Sequence, residues 1–240
     1  MSSAADRLAR VNDRIHDAAA RCGRDPSEVT LLGVSKRQPL ERVLDAVEAG
    51  LTHLGENYAQ EARDKRPAFD AELKTRSLPT PRWHFVGQLQ RNKARLVAPL
   101  FDVVETVDRA SLAAALDRAA EASETRLDVL LQVDLSGEAS DGPKGGVAPD
   151  ALPGLLEEVG SLAHLRIVGL MAIPAVQADA ESSRAAFARL RALRDDLSSR
   201  PEGGSLRELS MGMSADFEVA IEEGATIVRV GTALFGARNS

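Results

Sequence analysis

The chain is poor in the residues that carry redox, membrane or polyanion chemistry. It has one cysteine, Cys22, among 240 residues. That excludes an intrachain disulfide and fits a reducing compartment. No histidine can be assigned as a partner for Cys22, so it is given no catalytic role. Long hydrophobic runs are also missing: no apolar stretch approaches the ~20 residues that cross a bilayer. The opening Met-Ser-Ser-Ala-Ala-Asp-Arg lacks the basic start and apolar centre of an export signal. Nor is there an excess of positive charge. Thirty Lys and Arg stand against 36 Asp and Glu, a formal charge of −6. This argues against broad nucleic-acid binding and against an anionic membrane surface, while leaving room for a local cationic pocket. The expected location is the cytoplasm.

What is present is 44% apolar residues, enough for a sizeable core, in a periodic arrangement. Residues 4–21 carry Leu8, Val11, Ile15 and Ala18 on one helical stripe. Strands are expected at 29–35, 51–55, 82–87, 101–104, 127–133, 165–170, 206–210 and 226–230. Helical patterns lie between them: from Pro39 to Gly50, then 58–69, 89–98, 109–122, 150–159, 181–197 and 215–223. Leu73–Pro81 reads as a loop, and Asp134–Gly146, with four glycines and no periodicity, as a mobile βα loop. Eight strands alternating with helices, with no polar linker dividing them, fit one closed (β/α)8 TIM barrel over residues 1–240, preceded by an extra helix. An open doubly wound sheet is the alternative, favoured if strand 101–104 or 206–210 is lost.

In such a barrel the functional face collects the carboxyl ends of the strands. Lys36 follows the apolar run Val29–Ser35. An ammonium there is either a solvated cap or a functional amine, because burying it without a partner is costly. The same rim would hold Glu56-Asn57, His84 through Gln88, Glu105, Asp134 and Met171. It would also hold Ser210-Met-Gly-Met-Ser214 and Arg229-Val-Gly-Thr232. The last two clusters fall in the loops after strands seven and eight, where barrels often bind phosphate. Ser214 could cap the following helix, Gly231 allows close backbone approach, and Thr232 adds a hydroxyl. The blander reading makes both glycine clusters tight turns. Strand alternation sets Leu32, Val34 and Lys36 on one side of the first strand, and Ile227, Arg229 and Gly231 on one side of the last. If both sides face inward, two cations share one mouth, unless Arg229 pairs with Asp216, Glu56 or Glu105. A lysine, phosphate donors and an arginine in one mouth point to pyridoxal 5′-phosphate (PLP), with the lysine condensing with the aldehyde. Cationic neighbours and desolvation would favour the free amine, and Arg229 near the pyridine nitrogen would discourage its protonation.

The chain also resembles the pyridoxal phosphate homeostasis protein family (YggS/PROSC-like), whose fold is like the N-terminal barrel of alanine racemase. The matching stretches are Val34–Lys36, His53–Asn57, Trp83–Lys93, Leu209–Asp216 and Val230–Gly236. The resemblance implies that Lys36 carries PLP as an internal aldimine. It places Ser214, Gly231 and Thr232 at phosphate-binding positions and Arg229 near the pyridine nitrogen. It also sets Asn57 and His84 in the pocket lining. Gly212 and Met213 would contribute through backbone or packing, and Lys144 matches a basic position near the site.

Racemases of this type add a β-domain that supplies a catalytic tyrosine. This sequence stops at Ser240, its single tyrosine is Tyr58, and nothing in the sequence sets Tyr58 opposite Lys36. The expectation is a protein that holds PLP reversibly and serves vitamin B6 and amino-acid homeostasis without robust catalysis. The alternative is a small fold-type III enzyme such as an amino-acid racemase, and a third reading is a partner-binding barrel with a vestigial pocket. Expected partners are PLP, free amino acids or PLP-dependent apoenzymes, with a monomer as the default state.

Overall fold

The computed structural model describes residues 2–135, 145–174, 179–200, 203–204 and 206–236. Eight parallel strands close into a barrel in sequence order: β1 (Thr30–Val34), β2 (His53–Glu56), β3 (Arg82–Phe85), β4 (Val103–Val107), β5 (Leu127–Gln132), β6 (Leu165–Met171), β7 (Glu208–Met213) and β8 (Ile227–Val230). The closing seam pairs β1 with β8, Leu32 opposite Arg229 and Gly33 opposite Val230. Nine α-helices are described: α1 (Ala4–Arg21), α2 (Leu40–Glu48), α3 (Ala59–Thr75), α4 (Ala94–Val97), α5 (Ala110–Ala122), α6 (Leu152–Gly160), α7 (Arg184–Ser198), α8 (Phe217–Glu222) and α9 (Thr232–Phe235). The closed barrel rules out the open-sheet alternative.

Strand alternation explains the layering. Leu32, Val86, Val103, Leu130, Met171 and Ile227 form one small apolar cluster drawn from around the strands, with Val34 and Val168 against it. This is the barrel interior. The larger cluster fills the ring between strands and helices, including Val43, Leu44, Trp83, Leu116, Val129, Phe187 and Val228. The added helix α1 is opened by a Ser3–Asp6 capping box and turns its Leu8–Val11–Ile15–Ala18 stripe inward. It packs on α8 and α9, beside the last strand, and Arg14 lies 4.3 Å above the Phe217 ring.

Three boundaries differ from the sequence expectation. Helix α3 runs past Pro67 to Thr75, shortening the expected 73–81 loop. The proline costs one helical hydrogen bond, but the buried face Ala59, Ala62, Phe69 and Leu73 holds the helix down. Strand β4 begins at Val103 and not at Phe101, so Glu105 and Thr106 lie inside the strand and not at its tip. The Asp102 carboxylate accepts the Trp83 N–H at 2.8 Å, and Phe101 packs edge-on against Phe85 before the strand starts. Strand β7 covers Glu208–Met213 where 206–210 was expected. Its register with β8 shifts between Ser210 and Met213. Gly212, with φ +89°, sits in that irregularity. A Cβ there would stand 2.6 Å from Ala220 Cβ and 2.9 Å from Phe217 Cα, so only glycine lets α8 approach the strand.

The amino-terminal end of the barrel is plugged by charge. Arg166 grips Asp128 with two hydrogen bonds of 2.6 and 2.8 Å, and Arg82 joins the same carboxylate. A small cavity of about 130 Å³ lies there, reached by His53, Arg82, Asp128 and Glu208. No described helix is long and apolar enough to cross a membrane.

Candidate functional site

Lys36 is half-buried in the turn that follows β1. The turn is held from below. Gln38 N–H donates to Ser35 O at 3.1 Å, and the Arg37 N–H donates to Glu61 Oε1 at 2.6 Å. Arg37 adopts φ +57°, a left-handed conformation rare for a non-glycine residue. Its guanidinium lies 5.4 Å from the Tyr58 ring, so the single tyrosine flanks this turn. Lys65 completes the support. Its ammonium donates to Ser35 O at 3.1 Å, Glu56 Oε1 at 2.7 Å and Glu61 Oε1 at 3.1 Å. The Ser35 hydroxyl also donates to Glu56 Oε1 at 2.8 Å. Burial raises the Glu56 pKa, opposed by the charge and hydrogen bond of Lys65.

Across the seam, Gly231 follows β8. A Cβ on it would stand 3.5 Å from Val34 O, which places the backbone after β8 against the end of β1, two residues before Lys36. Thr232 opens the one-turn helix α9 and is exposed. On the other side of β8, the expected loop Ser210–Ser214 is strand as far as Met213. Ser214 follows it but does not cap α8: the cap position is Asp216, with no side-chain cap bond. Asp216 turns back to accept the Met213 N–H at 2.7 Å, so that backbone donor is already engaged. Met213 itself is 37% exposed at the rim.

Arg229 faces into the barrel, as strand parity required. It is buried, donating from Nη1 to Ser210 Oγ at 2.7 Å and from Nη2 to Ala172 O at 2.9 Å. Its counter-charge is Glu105, reached through Ser210 and not by direct contact. The Ser210 hydroxyl donates to Glu105 Oε2 at 2.5 Å. On its other oxygen, Glu105 meets His84 Nδ1 at 2.7 Å, and His84 Nε2 lies 3.0 Å from His53 Nδ1. Burial works against the Glu105 charge, but His84, Arg229 and Ser210 together hold its pKa below the ordinary value. Burial lowers that of Arg229, opposed by Glu105 and Asp216. His84, expected at the rim, therefore has both ring nitrogens engaged inside the barrel.

Asn57 lies just past β2, fixed by Gly87: a Cβ on Gly87 would sit 2.1 Å from Asn57 O. The Asn57 Oδ1 atom is buried and has no hydrogen-bond partner among the described residues. Lys144 and most of the 134–146 loop lie outside the described residues. Gly145 re-enters at the rim, where a Cβ would stand 3.0 Å from Asp108 Oδ2.

The structure thus brings Lys36, Ser214, Arg229, Gly231 and Thr232 to the carboxyl ends of three consecutive strands around the seam. Sequence reasoning missed the supports Lys65 and Glu61, and although it put Ser210 on the rim it did not see that Ser210 links Arg229 to Glu105. The signals were an i,i+4 acid–lysine pair on α3 and polar residues interrupting apolar runs.

A closed barrel with an N-terminal helix and a lysine after its first strand defines the alanine racemase N-terminal domain class. The family model described as "Alanine racemase, N-terminal domain" matches residues 7–239. Alanine racemase from Clostridium difficile shares this fold, with TM-score 0.69 and 15% identity over 96% of this chain and 57% of that one. The chain belongs to the pyridoxal phosphate homeostasis protein family. It is 49% identical to the pyridoxal phosphate homeostasis protein of Pseudomonas aeruginosa, over 100% of this chain and 97% of that one. It is 42% identical to that of Escherichia coli K12, over 100% and 98%. Among solved structures it resembles PipY of Synechococcus elongatus PCC7942 with PLP bound. That likeness has TM-score 0.80 and 39% identity, covering 97% of this chain and 100% of PipY.

Proposed function

We propose that this protein binds PLP reversibly through Lys36 and serves vitamin B6 and amino-acid homeostasis as a holder of the cofactor, without robust turnover. The observation that carries the reading is the seam. The end of β1, two residues before Lys36, lies against the Gly231 backbone after β8, and Arg229 of β8 turns its buried guanidinium into the barrel toward Ser210 and Ala172. When bound, the cofactor supplies an electrophilic aldehyde and a phosphate anchor.

The donor set fits such a group. Ser214, Thr232 and the Gly231 backbone offer neutral hydrogen-bond donors for a phosphate. Arg229, which stays charged in a protein, would stand near the ring nitrogen and discourage its protonation. Asn57, whose buried carbonyl oxygen has no partner among the described residues, lines the pocket, as does Met213, while His84 is tied to Glu105 and His53 deeper in the barrel and supports the site from behind. The Lys65 clamp orients the Lys36 turn. Lys144 is a candidate second amine in cofactor exchange. Residues 1–240 act as one cytoplasmic unit, a monomer by default, meeting free amino acids or PLP-dependent apoenzymes. The family relationship and the PLP-bound relative support the cofactor assignment.

The test is an absorbance spectrum of purified protein with PLP, before and after borohydride reduction, followed by mapping of the modified lysine. Label on Lys36 is expected. Label elsewhere, or equal affinity for pyridoxal and its phosphate, would overturn the reading. Steady turnover of an amino acid would favour the enzyme alternative.

A further inference from the structure

A hydrogen-bonded chain crosses the barrel from strand to strand: His53 on β2, His84 on β3, Glu105 on β4, Ser210 on β7 and Arg229 on β8. His84, Glu105, Ser210 and Arg229 are all at most 5% exposed. Barrel interiors are ordinarily filled by branched apolar side chains. A buried Arg–Glu pair is not a stability device either, since hydrophobic residues of similar volume commonly do as well or better. Stability therefore does not account for this chain.

The donors settle its polarity. Arg229 has only N–H groups to give, so Ser210 accepts from it and must pass its own proton toward Glu105. With Glu105 ionised and the His84 ring in its neutral form, His84 donates from Nδ1 to Oε1. His84 Nε2 is then left to accept from His53 Nδ1, which fixes both tautomers through the network. Two runs of donors converge on Glu105, the one anion among the five side chains, and Arg229 is the one guanidinium. Other charged groups face the chain. Asp216 acts on Arg229, and Arg82 and Asp102 act on His53 at the amino-terminal end.

We propose that Glu105, linked by Ser210, is the positioning residue that aims and charge-balances Arg229 at the cofactor ring, with His84 and His53 as outer members of the same unit. The inference rests on the reading that Arg229 faces that ring. Glu105 touches no cofactor; it acts through Arg229. Ala172 O and Ser210 Oγ fix the plane of the guanidinium, and Glu105 offsets its charge in a site with little water to do so. Without Glu105 an uncompensated positive charge stands beside the lysine-bound group and disfavours its protonated form.

The test compares wild type, Glu105→Gln and Ser210→Ala, each loaded with PLP and titrated by absorbance against pH, with borohydride mapping of the label. In the unloaded proteins, nitrogen-15 NMR reads the imidazoles, of which the chain has four. Both variants are expected to keep the label on Lys36. The titration midpoint should fall by about one pH unit or more in Glu105→Gln, and in the same direction by less in Ser210→Ala. In unloaded wild type, His84 should carry its proton on Nδ1, and Glu105→Gln should move the His84 and His53 signals together. Unchanged midpoints would overturn the proposal, as would a His84 proton on Nε2. If Glu105→Gln does not fold, Ser210→Ala decides by the same midpoint. A label absent from Lys36 in wild type would sink the underlying reading instead, while the NMR arm still tests the unit.

Discussion

The Lys65 ammonium lies 2.7 Å from Glu56 Oε1, directly beneath the turn that presents Lys36. The Lys65 side chain is 9% exposed and that of Glu56 fully buried. Each charge therefore depends on the other. Lys65→Met should destabilise the fold by about 3–5 kcal/mol, because it strands a buried carboxylate. Urea unfolding measures this. Adding Glu56→Leu to the same variant should recover much of the loss, since the orphaned charge is then gone. A double variant no more stable than Lys65→Met would contradict the pairing.

Lys36→Ala should remove the borohydride-fixed label while leaving the unfolding midpoint near wild type. The side chain lies beyond the end of β1, outside both apolar clusters. Retained label at this position's peptide or a collapsed fold would each contradict the placement.

Thr232→Ala should weaken PLP retention by about 1–3 kcal/mol, the range for a hydrogen bond to a charged acceptor. Pyridoxal without its phosphate should bind the variant and wild type alike. The comparison is an equilibrium dialysis of both ligands, and equal weakening for both would remove Thr232 from the phosphate.

Gly212→Ala should cost about 1–3 kcal/mol through a strained backbone and an overpacked contact. The position has φ +89°, and α8 stands too close for a Cβ. Calorimetry would show the lower Tm. The cost should fall on β7 and α8, so cofactor retention should weaken as well.

His53 gives a pH signature. Burial, helped by neighbouring His84 and by the Arg82 charge, pushes its pKa down to about 4. In the unfolded chain it titrates near 6.5. The unfolded state then binds more protons between these values, so folding stability rises with pH across that window. Stability is fully present above the unfolded value and is lost as pH falls toward 4. Allowing for its remaining solvent contact, the contribution is about 1–2 kcal/mol. His53→Gln should flatten the stability profile between pH 7 and 4, measured by urea unfolding at each pH. An unaltered slope would mean that His53 is not held neutral.

The sequence by itself determined the strand order, the N-terminal helix and the inward faces of β1 and β8. These follow from alternation, helical periodicity and turn chemistry, which act over a few neighbouring residues. They were enough to bring Lys36, Gly231 and Thr232 to one rim, because the first and last strands of a closed barrel must be neighbours. Only the tertiary structure decided where Glu105 and Ser210 meet. Glu105 reads as a strand-tip residue until β4 is seen to begin at Val103, and Ser210 reads as a loop residue until β7 runs on to Met213. The link from Glu105 through Ser210 to Arg229 joins three strands across the barrel axis. It depends on the stagger accumulated around the closed sheet and on the bulge in β7, and these are properties of closure and not of any local run of residues.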